Sequence, residues 1–247
     1  MKEMPGGRFD GRRLEALAER VSDYFGVVLA LVLATYVLSS LLPEKGWSAV
    51  AISVTMSATS VFALIASASK PIWVRRAIGL AILAVLFHII AAVTGDRGWQ
   101  SAGSLIMIAL LAVSMAKVLD TVVLAPEISV RTILGAVSVY TSLGLLFAFL
   151  YATVSRIQGG EHFFSGVAHP SGSDFIFFSY TTLTTVGYGD LVPGGQPGQM
   201  ISGLEMLIGQ IFLVTLVAGL VSGWRPGQGA RQRRERREES SEETGTA

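Results

Sequence analysis

Thr184-Thr185-Val186-Gly187-Tyr188-Gly189-Asp190 is the stretch on which the reading of this chain turns. It follows a short segment of helical composition, Ser173 to Leu183, and precedes an apolar run of membrane length. Glycines at alternate positions let a loop adopt φ > 0, which other residues avoid. Only with such conformations can the carbonyls of a short loop all face one axis. Stacked carbonyls of that kind can replace the water shell of a dehydrated cation. The Thr185 hydroxyl adds an oxygen at the inner end, while Val186 and Tyr188 point away and hold the loop at its diameter. Backbone without regular structure is tolerated at membrane depth only where it is buried in protein or lines water, and such a filter does both.

The rest of the chain supplies the membrane. Of its 247 residues, 51% are hydrophobic and 15% charged, against about 25% charged in soluble domains. This is the composition of an integral membrane protein. The net charge of +1 is uninformative by itself. There is no cysteine, which removes disulfides, thiolate zinc sites and a cysteine nucleophile. Six apolar stretches are near the length of a bilayer crossing: Val21–Leu42, Trp47–Ser69, Ala77–Thr94, Trp99–Leu119, Val130–Val154 and Gly198–Gly223. Turn and charge signals separate them at Pro43-Glu44-Lys45-Gly46, Lys70-Pro71, Gly95-Asp96-Arg97-Gly98 and Pro126-Glu127. The first run lacks a small-residue cleavage signature and reads as a retained span. Phe175–Leu183 is too short to span and sits where a re-entrant helix is expected.

Basic residues set the topology. Lys2, Arg8, Arg12, Arg13 and Arg20 precede the first span. Lys70, Arg75 and Arg76 follow the second, Lys117 and Arg131 flank the fourth junction, and Arg225 and Arg231 to Arg237 follow the sixth. The other loops carry one basic residue each, among Lys45, Arg97 and Arg156. Both termini are therefore expected in the cytoplasm, with Thr184–Asp190 in an outward-facing loop. Trp47, Trp73, Trp99 and Trp224 fall at span ends, as interfacial anchors do.

At Thr184–Asp190 the chain resembles the potassium-channel pore family, and the resemblance covers roughly Val130 to Trp224. It implies an all-α membrane protein with six transmembrane helices, a re-entrant pore helix and a selectivity-filter loop. With one filter per chain, it implies a homotetramer around one pore. The domains expected are a cytoplasmic N-terminus (1–20), a four-helix transmembrane domain like a voltage-sensor fold without its charges (21–125), a pore domain (126–224) and a cytoplasmic tail (225–247). The ion ligands implied are the carbonyls of Thr185, Val186, Gly187 and Tyr188, with the Thr185 hydroxyl. Thr184 supports the filter and Gly189 shapes its outer mouth. Asp190 places a carboxylate ring there that concentrates cations; a turn or helix cap is its structural alternative. Potassium is the permeant ion, and no other cofactor is expected.

The pore helix departs from a common family pattern. Many relatives have tryptophans at the positions of Phe177 and Phe178, whose N–H groups tie down the filter tyrosine and aspartate. Phenylalanine packs but donates nothing. Some relatives carry glutamate at the position of Thr181. Tyr188 and Asp190 are then expected to be held by fewer hydrogen bonds, from Thr181 or Tyr180.

In the last span, Gly209 occupies the family's inner-helix hinge position. Close helix packing is an equally open reading of it. Gln210, Leu213, Val217 and Val221 share a helical face expected to line the inner cavity. Glu205 is the one acid in this span and is expected against the back of the pore helix, since an intramembrane carboxylate needs polar partners.

The fourth span argues against voltage sensing of the usual kind. Each charge moved yields only about 2.3 kcal/mol per 100 mV, so several are needed. Trp99–Leu119 holds Lys117 alone. His88, deep in the third span, reads as a neutral histidine bonded to a neighbour. Glu161, His162, His169 and Asp174 read as solvated outer-loop residues. The tail, a basic block followed by Glu238 to Glu243, reads as solvated chain, with contact to anionic lipid headgroups open to it. Nothing points to nucleic acid, and no arrangement of residues suggests an enzyme. The expectation is a potassium-selective plasma-membrane channel. A non-selective cation channel, a transporter subunit and a non-conducting regulatory subunit are the competing readings.

Overall fold

A computed structural model describes residues 25–42, 46–67, 69–124, 130–159 and 163–223, without the side chains of 130, 131 and 220–223. The basic N-terminus, the loop residues Pro43, Glu44, Lys45, Pro126, Glu127, Glu161 and His162, and the segment from Trp224 to the charged tail lie outside the described residues, as does the Arg131 side chain.

Among the described residues there are seven helices and no strand: α1 (Phe25–Leu41), α2 (Trp47–Ala66), α3 (Pro71–Thr94), α4 (Arg97–Val123), α5 (Val130–Ile157), α6 (Gly172–Leu183) and α7 (Gln196–Gly223). In a bilayer a helix is the one open-ended element that satisfies its own backbone, so apolar runs of this length become helices. The boundaries follow local chemistry. Pro71 opens α3 at the first turn, where its missing N–H costs nothing. Gly95 closes α3 in the left-handed conformation, with its N–H on the Ala91 carbonyl. Asp96 caps α4, its carboxylate accepting from the Gly98 N–H at 2.7 Å.

Five helices, α2, α3, α4, α5 and α7, are long and apolar enough to cross a membrane. The chain is a multi-pass helical membrane protein. The sequence led to an expectation of six spans. α1 is apolar but has 17 described residues, about 26 Å at 1.5 Å per residue, against ~30 Å of hydrocarbon. The remainder of that expected run, residues 21–24, is outside the described set.

Helices α1 to α4 pack as a bundle: α1 on α2, α2 on both α3 and α4, and α3 on α4. Both α1 and α4 then lie against α5, and α1 also reaches α6. The hydrophobic core is continuous across the 125/126 boundary. It joins Phe25, Val28 and Val32 of α1, Met56 of α2, Leu111 and Val118 of α4, and Val139, Leu145 and Phe149 of α5. Short polar side chains bond between helices inside it. Thr35 and Thr59 meet at 3.2 Å, and the Ser53 and Ser57 hydroxyls reach the Met107 sulfur at 3.7 and 3.3 Å. Small hydroxyl residues let membrane helices approach closely and supply interhelical bonds.

The pore helix α6 is wedged between α5 and α7. Among the described helices, α7 packs mainly on α5 and α6, and its first turn also meets the loop at Phe163 and Pro193. Leu204, Leu207, Ile211 and Val214 along it are exposed on the single subunit.

Candidate functional site: the pore helix and filter loop

The loop at Thr184–Asp190 is positioned by α6, and α6 is fixed at both ends. Ser171 and Asp174 form a reciprocal capping box: the Ser171 hydroxyl accepts from the Asp174 N–H at 3.4 Å, and the Asp174 carboxylate accepts from the Ser171 N–H at 2.7 Å. This corrects the reading of Asp174 as a solvated loop residue. His169 is exposed, as expected.

The buried face of α6, Phe175, Ile176, Phe178, Ser179, Thr182 and Leu183, sits on an aromatic cluster. The Phe178 ring packs edge-on against Tyr151 at 5.0 Å and Phe164 at 5.1 Å. Phe163 and Phe164 come from the loop between α5 and α6, and both are buried. That loop is stitched to the segment after the filter. The Ser165 N–H donates to the Val192 carbonyl at 2.8 Å, and the Gly194 N–H to the Phe163 carbonyl at 2.9 Å. Two adjacent phenylalanines in a polar, Gly-rich loop were the available signal.

The filter backbone follows from the helix end. Thr185 N–H donates to the Thr182 carbonyl at 3.0 Å, while the Val186 and Gly187 N–H groups both donate to the Thr181 carbonyl, at 2.9 and 3.1 Å. The loop's donors thus turn back into the last turn of α6. Among the described residues, no hydrogen bond within the chain uses the carbonyls of Thr185, Val186, Gly187 or Tyr188. The φ values alternate in sign. Thr185, Gly187 and Gly189 are positive, at 60°, 52° and 86°, and Val186 and Tyr188 between them are not. Alternation between right- and left-handed conformations rotates successive peptide planes so that like groups fall on one edge, as in the concave ion sites built from backbone alone.

The glycines were legible as positions requiring φ > 0. Thr185 was not. It is the single non-glycine at positive φ among the described residues, and a β-branched side chain there is strained by about 1–2 kcal/mol. Its N–H bond to Thr182 helps hold it.

Tyr188 is held by ring stacking. Its ring lies against Phe177 at 5.8 Å between centroids and 11° between planes. The expected hydrogen bonds from Thr181 or Tyr180 are not made within the chain. The Thr181 hydroxyl donates to the Phe178 carbonyl at 3.0 Å, and the Tyr180 hydroxyl to the Thr141 carbonyl at 2.6 Å. Both are committed to helix backbone behind the filter. Asp190 is exposed at the outer end of the loop and caps no helix; α7 begins at Gln196.

Behind the filter, α5 and α7 close on the end of α6. The Tyr140 hydroxyl donates to the Leu183 carbonyl at 3.2 Å. Gly209 faces the same residue: a Cβ there would stand 2.6 Å from the Leu183 Cδ1 and 2.9 Å from its carbonyl oxygen. Close packing therefore accounts for this glycine, and α7 runs unbroken through it. One turn earlier, Glu205 is fully buried, accepting from Tyr151 at 2.6 Å and meeting Ser179 of α6 at 2.5 Å. The expected contact with the back of the pore helix is made. Gln210, Leu213 and Val217 are exposed on the single subunit; the Val221 side chain lies outside the described residues.

In the first four helices, Lys117 pairs with Asp120 at 3.2 Å in a partly exposed contact one turn along α4. Arg97, at the start of α4, donates to the Gly159 carbonyl at 3.3 Å. His88 is buried with Nδ1 2.8 Å from the Ala84 carbonyl, the local bond expected of it.

Comparison with known proteins agrees with this geometry. An ion-channel family model matches residues 139–222, which run from α5 through α6 and the filter into α7. The "Two-pore potassium channel 3" of Arabidopsis thaliana is 31% identical over 93 residues, 38% of this chain. The chain spans about a fifth of that relative's length, 19%. No solved structure matches. A short helix followed by Thr-Val-Gly-Tyr-Gly, set between two membrane helices, thus lies inside the segment that the ion-channel model matches.

Proposed function

We propose that this protein is a potassium-selective channel, in which four identical chains each contribute one filter strand to a single pore. The observation that carries the reading is the alternating backbone handedness from Thr185 to Gly189, with loop N–H groups bonded inward and carbonyls unused. Four such strands supply rings of oxygens that replace the hydration shell of K+. Thr185, Val186, Gly187 and Tyr188 are the ligands, K+ is the permeant ion, and Asp190 forms the outer carboxylate ring. Gln210, Leu213, Val217 and Val221 face the inner cavity. The exposed apolar surface of α7 supports assembly, because an inner helix is covered by neighbouring subunits and lipid.

In the same reading α1 completes a sixth span, both termini are cytoplasmic in a plasma membrane, and the basic tail meets anionic headgroups. The first four helices do not form an arginine voltage sensor. Their one internal lysine on α4, Lys117, is paired locally with Asp120, and the bundle is packed onto α5 through a shared core.

A non-selective cation channel is the second reading. It is favoured by Tyr188, whose ring is stacked on Phe177 and whose hydroxyl makes no hydrogen bond among the described residues. The deciding experiment is reconstitution in liposomes with opposed K+ and Na+ gradients. A reversal potential near the K+ value supports the selective channel. Equal permeation supports the second reading, and absence of flux under all voltages supports a silent subunit.

A further inference from the structure

Three oxygen–oxygen contacts meet behind the filter. The Ser179 Oγ lies 2.7 Å from the Gly144 carbonyl and 2.5 Å from Glu205 Oε1, and the Tyr151 hydroxyl lies 2.6 Å from Glu205 Oε2. Each contact at these lengths needs one proton between its oxygens. Ser179 and Tyr151 bring one proton each, and the Gly144 carbonyl brings none. An ionised Glu205 would leave two protons for three contacts, with one pair of lone pairs facing each other in a dry site. A protonated Glu205 makes the count close. Its Oε1–H donates to Ser179 Oγ, Ser179 Oγ–H donates to the Gly144 carbonyl, and the Tyr151 hydroxyl donates to Oε2.

The surroundings agree. Glu205 and Tyr151 are fully buried, as is Ser179. Among the described helices, α7 packs mainly on α5 and α6, and the loop residues against its first turn, Phe163 and Pro193, carry no charge. The other titratable groups within electrostatic reach from those helices are Tyr140 and Tyr180. No lysine, arginine or histidine among the described residues pairs with Glu205. A buried carboxylate without a counter-charge is strongly disfavoured, whereas a neutral acid with its donors and acceptors matched is not.

We propose that Glu205 is a neutral carboxylic acid whose proton is donated to Ser179, and that it is the positioning residue that fixes the pore helix between the outer and inner helices. Its placement gives it leverage on the filter. Ser179 and Leu183 are one turn apart on α6, and Glu205 and Gly209 are one turn apart on α7. The Glu205–Ser179 bond and the Gly209–Leu183 contact are therefore two adjacent points of one seam, and the filter begins at the next residue, Thr184. The tie to conduction rests on the channel reading above; the proton count does not.

The test uses the full chain in lipid. Infrared difference spectra of wild type against Glu205→Gln should show, at neutral pH, the C=O stretch of a protonated acid that the variant lacks. Tyr151→Phe should move that band to higher frequency by removing the bond to Oε2, which keeps the assignment testable even where Glu205→Gln fails to assemble. A carboxylate signal in place of the acid band, or a band unmoved by Tyr151→Phe, overturns the proposal. In flux measurements, Gln supplies the same donor and acceptor as the neutral acid. Glu205→Gln should keep K+ flux within about twofold and leave the reversal potential unchanged, whereas Glu205→Ala, which strands Tyr151 and Ser179, should lower flux roughly tenfold or more and move the reversal potential. Glu205→Gln as damaging as Glu205→Ala overturns the positioning role. A wild type that does not conduct refutes the channel reading alone, since the infrared result stands without flux.

Discussion

The ring of Tyr188 lies nearly parallel to that of Phe177, 5.8 Å away, so the Thr184–Asp190 loop is braced by a side chain of the helix that precedes it. An offset aromatic pair of this kind contributes about 0.5–1.5 kcal/mol beyond its area, and the proposed tetramer would hold four of them. Phe177→Ala is expected to loosen the outer filter, raising Na+ permeation or slow inactivation. The check is the reversal potential under bi-ionic conditions together with the decay of sustained flux. If both match the wild type, stacking does not brace the filter.

Phe178 behaves differently, although it is adjacent in sequence. It points away from Tyr188 into the cluster of Tyr151 and Phe164. Phe178→Trp enlarges a side chain in a packed site and is expected to destabilise the fold by about 1–3 kcal/mol, without adding a donor to the Thr184–Asp190 loop. Thermal dissociation of the detergent-solubilised protein measures this. An unchanged melting temperature with altered inactivation would instead mean that the new indole reaches the filter.

Gly187 has φ 52°. Alanine there costs about 1–2 kcal/mol per chain and, in the proposed tetramer, would oppose the carbonyl orientation in all four chains. Gly187→Ala is expected to abolish K+-selective flux while leaving assembly intact. Selective flux at wild-type level from a properly assembled variant would show that the alternating backbone is not the conducting form.

Gly209 and Gly203 form a matched pair on α7. A Cβ at Gly209 would strike the Leu183 backbone carbonyl at 2.9 Å, whereas one at Gly203 would meet nothing within 4 Å in its own chain. Gly209→Ala is expected to lower thermal stability and flux together, and Gly203→Ala to leave the fold of the subunit unaffected. A Gly209→Ala protein of full stability with altered opening would restore the hinge as the main role of this residue.

Lys117 and Asp120 form a pair one turn apart on α4, with side chains 37% and 60% exposed. Exposed pairs of this type contribute about 0.3–0.5 kcal/mol. Lys117→Gln is therefore expected to leave the voltage dependence of flux unchanged. A clear shift of a conductance–voltage relation would show that this lysine moves in the field.

Much of the site was legible before any coordinates. Gly187 and Gly189 announced positive φ, the apolar runs announced membrane helices, and the lone carboxylate of Glu205 announced a polar partner. What was missed has two causes. Phe163 and Phe164 under α6, and the Thr141 carbonyl taking the Tyr180 hydroxyl, depend on contacts between segments that sequence periodicity does not link, whereas the Ser171–Asp174 capping box is local and was a missed sequence signal.

The sequence by itself determined that the chain is a multi-pass helical membrane protein and that its Thr184–Asp190 loop can expose its carbonyls, because composition sets what a bilayer accepts and only certain residue types allow such a loop. Tertiary structure decided what holds that loop. It assigned Gly209 to close packing on Leu183, Tyr188 to Phe177, and Glu205 to Ser179 and Tyr151. The physical reason is range. Backbone conformation is dictated by each residue and its neighbours, whereas the partner of a buried polar group or a close-packed glycine is chosen by which helices meet, and that is a property of the whole packed chain.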